Sequence, residues 1–366
     1  MDKRVVVVGG GIAGLTAATT LAEEGVEVAV IEKRPLLGGL SATFTCKATD
    51  RCQQCGACMV EQTLKRAVSS PNIKFYLQSE VIGIEKNGSF TITLKRSPFT
   101  GEETVATYSR YNRESFLKEK QGSEDKIKAQ AVILATGFTP FDPRKRPTYG
   151  YGQWKNVITG VEMEQMLRAR YGVFCPSNGK KAKKIAFIQC VGSRNAQFNT
   201  LWCSEVCCPY ALRMGSLIKH MDPEAEVWVF FIDLQNVGKE GKDFFNTLGE
   251  RLRLVNIVPV DIFGEKDGKV TIAFEEDNSR KRETFDLVVL SVGISPNKDN
   301  RALAEVFGIE MEENGFFKED GERGTCKSTT SGIFLAGTST GPKGILETIS
   351  HARGAAFETL TYLGGV

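Results

Sequence analysis

Short apolar runs alternate with amphipathic helical segments along the chain. Near its start, an apolar run at residues 5–8 precedes a helical pattern at 15–24, which is followed by a second apolar run at 26–31. A strand, a helix and a strand in this order form a βαβ unit, which implies a parallel sheet. The first region therefore predicts an α/β domain.

The same order of elements returns in the middle of the chain. It begins with an apolar run at residues 184–189, continues with a helical pattern near 210–220, and reaches an apolar, aromatic run at 226–232. We expect the bulky side chains of Trp228 and its neighbours to pack in a second core. The repeat predicts two Rossmann-like domains with doubly wound parallel sheets.

Two further apolar runs end in a glycine followed by a proline and would each close one domain. They lie at residues 131–140 and 287–296, and a strand, a glycine-rich turn and a helix follow at 332–356. The polar segment between Arg96 and Lys128 is predicted to be a surface excursion from a hairpin. The predicted divisions are 1–150 for the first part of domain one, 151–290 for domain two and 291–366 for the return to domain one.

Composition supports a globular protein that carries redox chemistry. The 366 residues are 41% hydrophobic, and the net charge of +3 does not indicate a nucleic-acid or membrane-surface binder. No apolar run reaches the roughly 20 residues of a bilayer-spanning helix, and the first residues do not resemble a secretory signal, so we expect a cytoplasmic protein. In that compartment, the 10 cysteines suggest metal ligands or redox groups rather than structural disulfides.

A glycine fingerprint follows the first predicted strand. Gly9, Gly11 and Gly14 have the G-x-G-x-x-G spacing, and they lie where a buried strand turns into a helix. Such a turn lets the backbone approach a pyrophosphate, which the N–H groups of the helix start can bind. Glu32 ends the next strand, where a carboxylate can accept hydrogen bonds from ribose hydroxyls. These residues predict a dinucleotide site.

The residues around this site resemble the two-domain flavoprotein disulfide reductases, which implies FAD. The resemblance rests on Gly38-Gly39, on Ala135-Thr136-Gly137 and on Gly337-Thr338, where Thr338 replaces the Asp usual in that family. The helix starting near Gly344 would stabilise negative charge on the reduced flavin. The residues predicted to bind FAD are Gly9, Gly11, Ile12, Ala13, Gly14, Glu32, Lys33, Gly39, Leu40, Val81, Ala135, Thr136, Gly137, Gly337, Thr338, Gly344 and Ile345.

The second domain lacks a comparable fingerprint. After residues 184–189 the chain reads Cys190-Val-Gly192-Ser-Arg, with one glycine remaining, which argues against an NAD(P)H site there. Cys190, Cys203, Cys207 and Cys208 would converge from a strand end, a loop and a helix start. Four soft thiolates suit a [4Fe–4S] cluster, and zinc stays open as an alternative although adjacent ligand cysteines are unusual for it.

The segments CVGSR and CSEVCCPYA resemble the A-type flavoproteins of heterodisulfide reductases and their shorter relatives, across nearly the whole chain. The resemblance implies that Cys190, Cys203, Cys207 and Cys208 bind a [4Fe–4S] cluster near FAD. It also implies a homodimer and partner iron–sulfur subunits that handle disulfide, persulfide or lipoyl-bound sulfur, with a sulfur-carrier or lipoyl protein among them. Longer members of this family add ferredoxin domains, so we expect a shorter electron-transfer protein.

Four further cysteines lie near the first glycine turns: Cys46, Cys52, Cys55 and Cys58. Their spacing allows a second iron–sulfur cluster with Cys46 as the fourth ligand, a thiol–disulfide pair of Cys52 and Cys55, or thiols that carry no cofactor. The sequence leaves these three alternatives open.

Arg213 and Lys343 are the candidate catalytic residues, because a cation near the flavin shifts its potential; the alternative is surface solvation. His220 and His351 are expected at helix surfaces or caps.

The favoured function is an FAD- and [4Fe–4S]-containing electron-transfer subunit in sulfur or disulfide metabolism. Two enzyme alternatives are an NAD(P)H-dependent disulfide reductase that uses Cys52 and Cys55, and the A-type component of a quinone-linked electron-transfer complex. A non-catalytic scaffold that binds FAD is a third.

Overall fold

The computed structural model describes residues 3–96, 124–170, 172–235, 251–259, 261–321 and 324–364. Most of the polar segment between Arg96 and Lys128 lies outside these residues. The chain forms two compact units. Unit 1 consists of Met1–Thr43, Gly56–Thr139 and Pro296–Val366, and unit 2 consists of Phe44–Cys55 and Pro140–Ser295.

Unit 1 is built on a five-stranded parallel sheet. Its strands are β1 (Arg4–Val8), β2 (Glu27–Ile31), β3 (Ile73–Tyr76), β7 (Ala131–Leu134) and β18 (Ile333–Leu335). Their spatial order is β18-β7-β1-β2-β3, with every neighbouring pair parallel. Val5 and Val7 pack in one hydrophobic cluster and Val6 and Val8 in another. Both faces of β1 are therefore buried, which explains its unbroken run of valines.

Helices and a small antiparallel sheet cover the two faces. The helices of unit 1 are α1 (Ile12–Glu23), α2 (Ala57–Ser69), α5 (Asn300–Phe307) and α6 (Ile345–Tyr362). The antiparallel strands are β4 (Ser79–Lys86), β5 (Phe90–Arg96) and β6 (Glu124–Ala129). Residues of α1, α2 and α6 share one core cluster, whereas residues of β5, β6 and α5 share the other.

Unit 2 repeats this plan. Its parallel strands are β9 (Val157–Thr159), β10 (Lys184–Val191), β11 (Glu226–Phe230), β12 (Arg253–Val255) and β16 (Leu287–Val292). The other elements are α3 (Gly160–Arg170), α4 (Cys207–Met221), β13 (Asp261–Gly264), β14 (Val270–Glu276) and β15 (Ser279–Phe285). The parallel sheet has the order β12-β11-β10-β16-β9, and the antiparallel sheet has the order β13-β14-β15. The short strands β8 (Phe138–Pro140) and β17 (Ile294–Pro296) lie where the chain passes from one unit to the other.

The predicted α/β fold with two Rossmann-like parallel sheets is confirmed. The helix predicted near 210–220 begins earlier, at Cys207, and the strand predicted to reach residue 232 ends at Phe230. Trp228 and Phe230 are buried as expected, and each makes an edge-to-face contact with Phe274. Among the described helices, none has the length and apolar character needed to cross a membrane.

Candidate nucleotide and cysteine sites

The first glycine turn has the geometry of a phosphate-binding loop. β1 ends at Val8 and α1 begins at Ile12, with Gly11 before it and no side-chain hydrogen bond capping the helix. A Cβ atom on Gly14 would lie 1.8 Å from the Gly9 oxygen, so the helix can approach the turn this closely only with glycine there. The N–H groups of the first turn of α1 can therefore bind an anion.

Glu32 lies directly after β2 and supports this turn. Its carboxylate accepts the Gly10 N–H at 2.7 Å and the Arg34 N–H at 2.9 Å. Burial raises the pKa of Glu32, and the two N–H groups oppose that shift. A carboxylate has about four acceptor positions, so two bonds leave capacity for ribose hydroxyls. Lys33, which was predicted to bind the cofactor, forms an ion pair with Asp299.

The second glycine pair lies against the first. The Gly38 N–H donates to the Gly10 oxygen at 2.8 Å, and a Cβ atom on Gly39 would be 3.0 Å from the Gly11 Cα. Leu40 then begins a short 3-10 turn. The two turns thus form one backbone cradle at the carboxyl end of the sheet, and a side chain at Gly39 would crowd it.

Other residues predicted to bind FAD follow neighbouring strands of the same sheet. Ala135 follows β7, and the Thr136 hydroxyl donates to Asn300 Oδ1 at 3.2 Å. Gly337 and Thr338 begin a short turn after β18, and Gly344 precedes α6 without a side-chain cap. Ligands of such sheets bind at the carboxyl ends of the strands, so the fold brings these positions to one edge. Val81 lies on β4, outside the parallel sheet, and the contacts with FAD stay predictions.

In unit 2, cysteines occupy the corresponding connection. Cys190 lies near the end of β10, Cys203 lies in the loop 192–206, and Cys207 and Cys208 begin α4 with exposures of 5% and 4%. The Cys207 thiol donates to the Val292 oxygen at 3.8 Å, and the Glu205 N–H donates to Cys203 Sγ at 3.3 Å. Three elements thus supply the cysteines, as the sequence predicted.

The electrostatics of this set favour a cationic group. Burial raises the pKa of Cys190 to about 12, and the charges of Cys208 and Cys203 contribute to that shift. Burial and the neighbouring cysteines also raise the pKa of Cys207 well above its usual range. The four sulfurs therefore lie within mutual electrostatic range, and they could all be thiolates only with compensating positive charge, as iron would supply.

Zinc and a multi-iron cluster make different demands on these sulfurs. A tetrahedral zinc with bonds of about 2.3 Å needs sulfurs about 3.8 Å apart. Among the described residues, three ligand atoms within 4.8 Å of one another occur at Glu319, Cys326 and His351. The role of the four cysteines as ligands, of iron or of zinc, stays a prediction.

Side chains close the nucleotide cradle of unit 2. A Cβ atom on Gly192 would lie 2.0 Å from the Phe141 ring, and the Ser193 and Ser204 hydroxyls are 2.5 Å apart. Arg194 forms an ion pair with Asp233, which lies in the segment after β11, beyond the position that corresponds to Glu32 after β2. This acidic side chain is thus paired within unit 2, a contact that no sequence pattern indicated.

The cysteines at 46–58 are divided between the two units. Cys46 and Cys52 are exposed and Cys55 is half-buried, all in the segment Phe44–Cys55 of unit 2. Cys58 is exposed and lies in the first turn of α2 in unit 1. The Gln54 N–H donates to Cys52 Sγ at 3.4 Å, the same bond that Glu205 makes to Cys203.

Arg213 lies against this cysteine loop. Its Nε donates to the Gln53 oxygen at 2.8 Å, and burial lowers its pKa while charge on Cys55 and Cys52 would oppose that shift. Sequence reasoning missed this contact, and the role of Arg213 beside the flavin stays a prediction. Lys343, the other candidate, donates from Nζ to Thr340 Oγ1 at 3.0 Å, just before α6.

The two histidines differ. His220 is 40% exposed on α4 and faces Asp50 at 3.8 Å, which confirms the expected surface position. The same expectation is wrong for His351, whose side chain is 9% exposed and packs with Glu319 and Cys326. Its position on α6 lies one turn from the buried Thr348 and Ala355, so the helical period could have indicated this.

Comparison with known proteins shows what this chain is similar to. Residues 3–172 match the family described as pyridine nucleotide-disulphide oxidoreductase. The A-type iron–sulfur subunit of CoB–CoM heterodisulfide reductase from Methanocaldococcus jannaschii is 29% identical over 97% of this chain and 64% of its own length. The second A-type iron–sulfur subunit of the same enzyme from Methanopyrus kandleri is 30% identical over 99% of this chain and 65% of its own length. The chain thus spans slightly less than two thirds of these relatives.

Solved structures agree on the fold. The thioredoxin reductase of T. acidophilum is 18% identical, with a TM-score of 0.59 over 98% of this chain and 99% of that one. Its two Rossmann-type domains correspond to the two units described above. Over nearly its whole length the chain is therefore similar to A-type iron–sulfur subunits of heterodisulfide reductases, and it has the two-domain fold of the thioredoxin reductase.

Proposed function

We propose that the protein is an FAD- and [4Fe–4S]-containing electron-transfer subunit of a heterodisulfide reductase-like complex in sulfur or disulfide metabolism. One observation carries this proposal. Unit 2 has four cysteines around the connection where unit 1 has its glycine fingerprint. β10 holds the central position in unit 2 that β1 holds in unit 1; Cys190 lies near its end, and Cys203, Cys207 and Cys208 follow it. The names of the relatives support the complex.

The residues of unit 1 fit FAD. The uncapped start of α1 would hold the pyrophosphate, and Glu32 would accept the ribose hydroxyls while it fixes the glycine turn. When bound, FAD exchanges electron pairs with thiols or hydride donors and single electrons with iron–sulfur centres. Lys343, held by Thr340 beside the start of α6, would place a positive charge near the reduced flavin.

The residues of unit 2 fit an iron–sulfur cluster. Soft thiolates are its normal ligands, and N–H donors such as that of Glu205 to Cys203 stabilise negative charge on the sulfurs. The buried positions of Cys207 and Cys208 would also exclude water.

Iron and flavin content after anaerobic purification test this proposal. We expect about four irons and one FAD per chain, and Cys208→Ser should lose the iron and keep the flavin. Cys175→Ser is the matched control, because Cys175 is equally buried in unit 2 but donates to the Asp286 oxygen and stands outside the set. Unchanged iron in Cys208→Ser would contradict the ligand assignment, and absence of flavin from the wild type would contradict the FAD site.

One observation favours a second candidate, a disulfide reductase that uses Cys52 and Cys55. Arg213 is hydrogen-bonded within their loop and would stabilise thiolates there. Iron-free protein that takes about two equivalents of NAD(P)H, one for the flavin and one for a Cys52–Cys55 disulfide, would support this alternative over the cluster proposal if Cys55→Ser takes about one equivalent and still bleaches.

We also propose a homodimer in the cytoplasm, with other iron–sulfur subunits and a sulfur-carrier or lipoyl protein as partners. The relatives' names, which describe reductase subunits, support the partner subunits; the homodimer, the location and the carrier protein follow from the sequence resemblance.

A further inference from the structure

Glu319, Cys326 and His351 form a buried polar cluster in unit 1. Their exposures are 8% for the Glu319 side chain, 3% for Cys326 and 9% for the His351 side chain. His351 Nε2 lies 3.4 Å from Glu319 Oε1 and 3.8 Å from Cys326 Sγ. Buried polar groups need partners, so the cluster must satisfy its own hydrogen bonds.

The other nitrogen of His351 determines the tautomer. Gly337 donates its N–H to His351 Nδ1 at 3.1 Å, so Nδ1 must present a lone pair. A neutral imidazole with an unprotonated Nδ1 carries its proton on Nε2. That proton faces Glu319, which can accept it.

Glu319 is suited to accept the Nε2 proton of His351. Its two oxygens accept the N–H groups of Gly324 and Cys326, each at 2.9 Å. Burial disfavours its charge, but the bonds from His351 and from these N–H groups prevail and lower its pKa to about 2. Glu319 is therefore a fixed carboxylate that only accepts hydrogen bonds, and it orients the imidazole.

The same bonds make this cluster a poor metal site, although three ligand atoms are close together. Metal binding at Nε2 would need a lone pair where the tautomer places a proton. Burial also raises the pKa of the Cys326 thiol to about 12, and the thiol lies 3.5 Å from the His351 oxygen, to which it can donate. The arrangement is a hydrogen-bond network.

The network ends at the turn predicted to contact FAD. Gly337 follows β18 with φ +69°, and a Cβ atom there would lie 2.6 Å from Ala13 Cβ in the first turn of α1. A small shift of this turn would therefore collide with the helix start that is proposed to hold the pyrophosphate.

We propose that His351 is a positioning residue of the FAD site: held as the Nε2–H tautomer by Glu319, it fixes the turn that starts at Gly337 through Nδ1. This inference rests on the proposed FAD binding. The arrangement of the imidazole can nevertheless be tested in protein without FAD.

Nitrogen NMR of ¹⁵N-histidine-labelled apoprotein tests the tautomer. The chain has 2 histidines, so His220→Gln leaves His351 as the single source of signal. We expect one protonated nitrogen, Nε2, and one unprotonated nitrogen, Nδ1, with no change when Zn²⁺ is added. A proton on Nδ1, or a shift of the Nε2 signal with stoichiometric Zn²⁺, would overturn the proposal.

FAD titration of apoprotein, followed by flavin fluorescence, tests the consequence. Asn at position 351 can place an acceptor near the position of Nδ1, whereas Gln places its amide near Nε2. We expect His351→Asn to bind FAD nearly as tightly as the wild type and His351→Gln to bind about two- to tenfold more weakly, the range for one neutral hydrogen bond.

Circular dichroism and the melting temperature of each apoprotein verify that the variants fold. Equal affinities for both folded variants and the wild type, or the reverse order of the two variants, would refute the role of Nδ1. A wild type that binds no FAD would instead refute the proposed function, while the NMR result would still decide the tautomer.

Discussion

The two units place different residues at the same part of a similar parallel sheet. In unit 1, the connection from β1 to α1 is the short turn 9–11, and no side-chain hydrogen bond caps the helix that follows. In unit 2, the connection from β10 to α4 is the longer loop 192–206, which Phe141 and paired serines fill. The two sheets thus have the same kind of strand order, and the loop that follows the central strand determines which ligand can bind.

The difference also lies in the acid after the second strand. Glu32 supports the open turn of unit 1 with its two backbone hydrogen bonds, whereas Asp233 of unit 2 is paired with Arg194. A nucleotide would have to displace that ion pair and the Phe141 ring. Unit 2 therefore lacks the glycine fingerprint and also has side chains that occupy the place of a nucleotide.

Replacement of Gly192, the single glycine of the loop 192–206, by alanine should have the largest effect on stability. Gly192 has φ +79°, and a Cβ atom would overlap the Phe141 ring, so we expect Gly192→Ala to lower the free energy of unfolding by about 2–4 kcal/mol. Urea denaturation measures this. Gly83→Ala is the control, since its new Cβ would be 4.0 Å from Thr93. An equally stable Gly192→Ala would show that the cradle is not closed.

Replacement of Gly11 by alanine should weaken FAD binding without a loss of stability. Gly11 has φ −78°, and its Cβ would meet the Gly39 Cα at 3.9 Å, so apoprotein stability should not change. The new methyl group would occupy the backbone cradle, and FAD should bind about tenfold more weakly. Fluorescence titration measures the affinity, and iron content should be unchanged. Unaltered FAD affinity would contradict the role of this turn.

Replacement of Arg213 tests how the cysteine loop is attached within unit 2. Arg213→Met removes the bond to the Gln53 oxygen, and we expect a loss of about 1–2 kcal/mol in the free energy of unfolding. Hydrogen exchange at Gln53 and Gln54 should become faster. Arg213→Lys keeps the charge and should be intermediate; an effect as large as that of Met would show that geometry, not charge, holds the loop.

The pH dependence of stability tests the charge of Glu319. Its pKa is about 2 in the folded protein against 4.5 ordinarily, so its charge stabilises the fold above pH 4.5, and this contribution is lost as pH falls towards 2. At neutral pH the wild type should have a larger free energy of unfolding than Glu319→Gln. This difference should shrink as the pH falls from 4.5 towards 2. Urea denaturation at several pH values measures it. A constant difference would exclude the ionised carboxylate as its source.

Local patterns were sufficient to predict the fold and the elements that carry the candidate site residues. The valine run of β1 and its glycines indicated a strand, a turn and a helix, and the spacing of Cys203 and Cys207 indicated a loop that leads into a helix. These features depend on neighbours in sequence, which is why they could be recognised.

Contacts between distant residues could not be predicted in this way. Arg194 meets Asp233, and Arg213 meets Gln53, only because the sheet and α4 bring separated segments together. The segment Phe44–Cys55 belongs to unit 2 although both neighbouring segments belong to unit 1, and no compositional change marks that division.

The position of β18 in the sheet has a consequence for folding during synthesis. β18 pairs with β7, and α6 shares a core cluster with α1, yet both later elements follow the whole sequence of unit 2. A ribosome therefore releases β7 as an uncovered sheet edge long before its partner exists, while most of unit 2 emerges as one continuous stretch that can fold first. Early termination after unit 2 should yield a nascent chain that needs a chaperone.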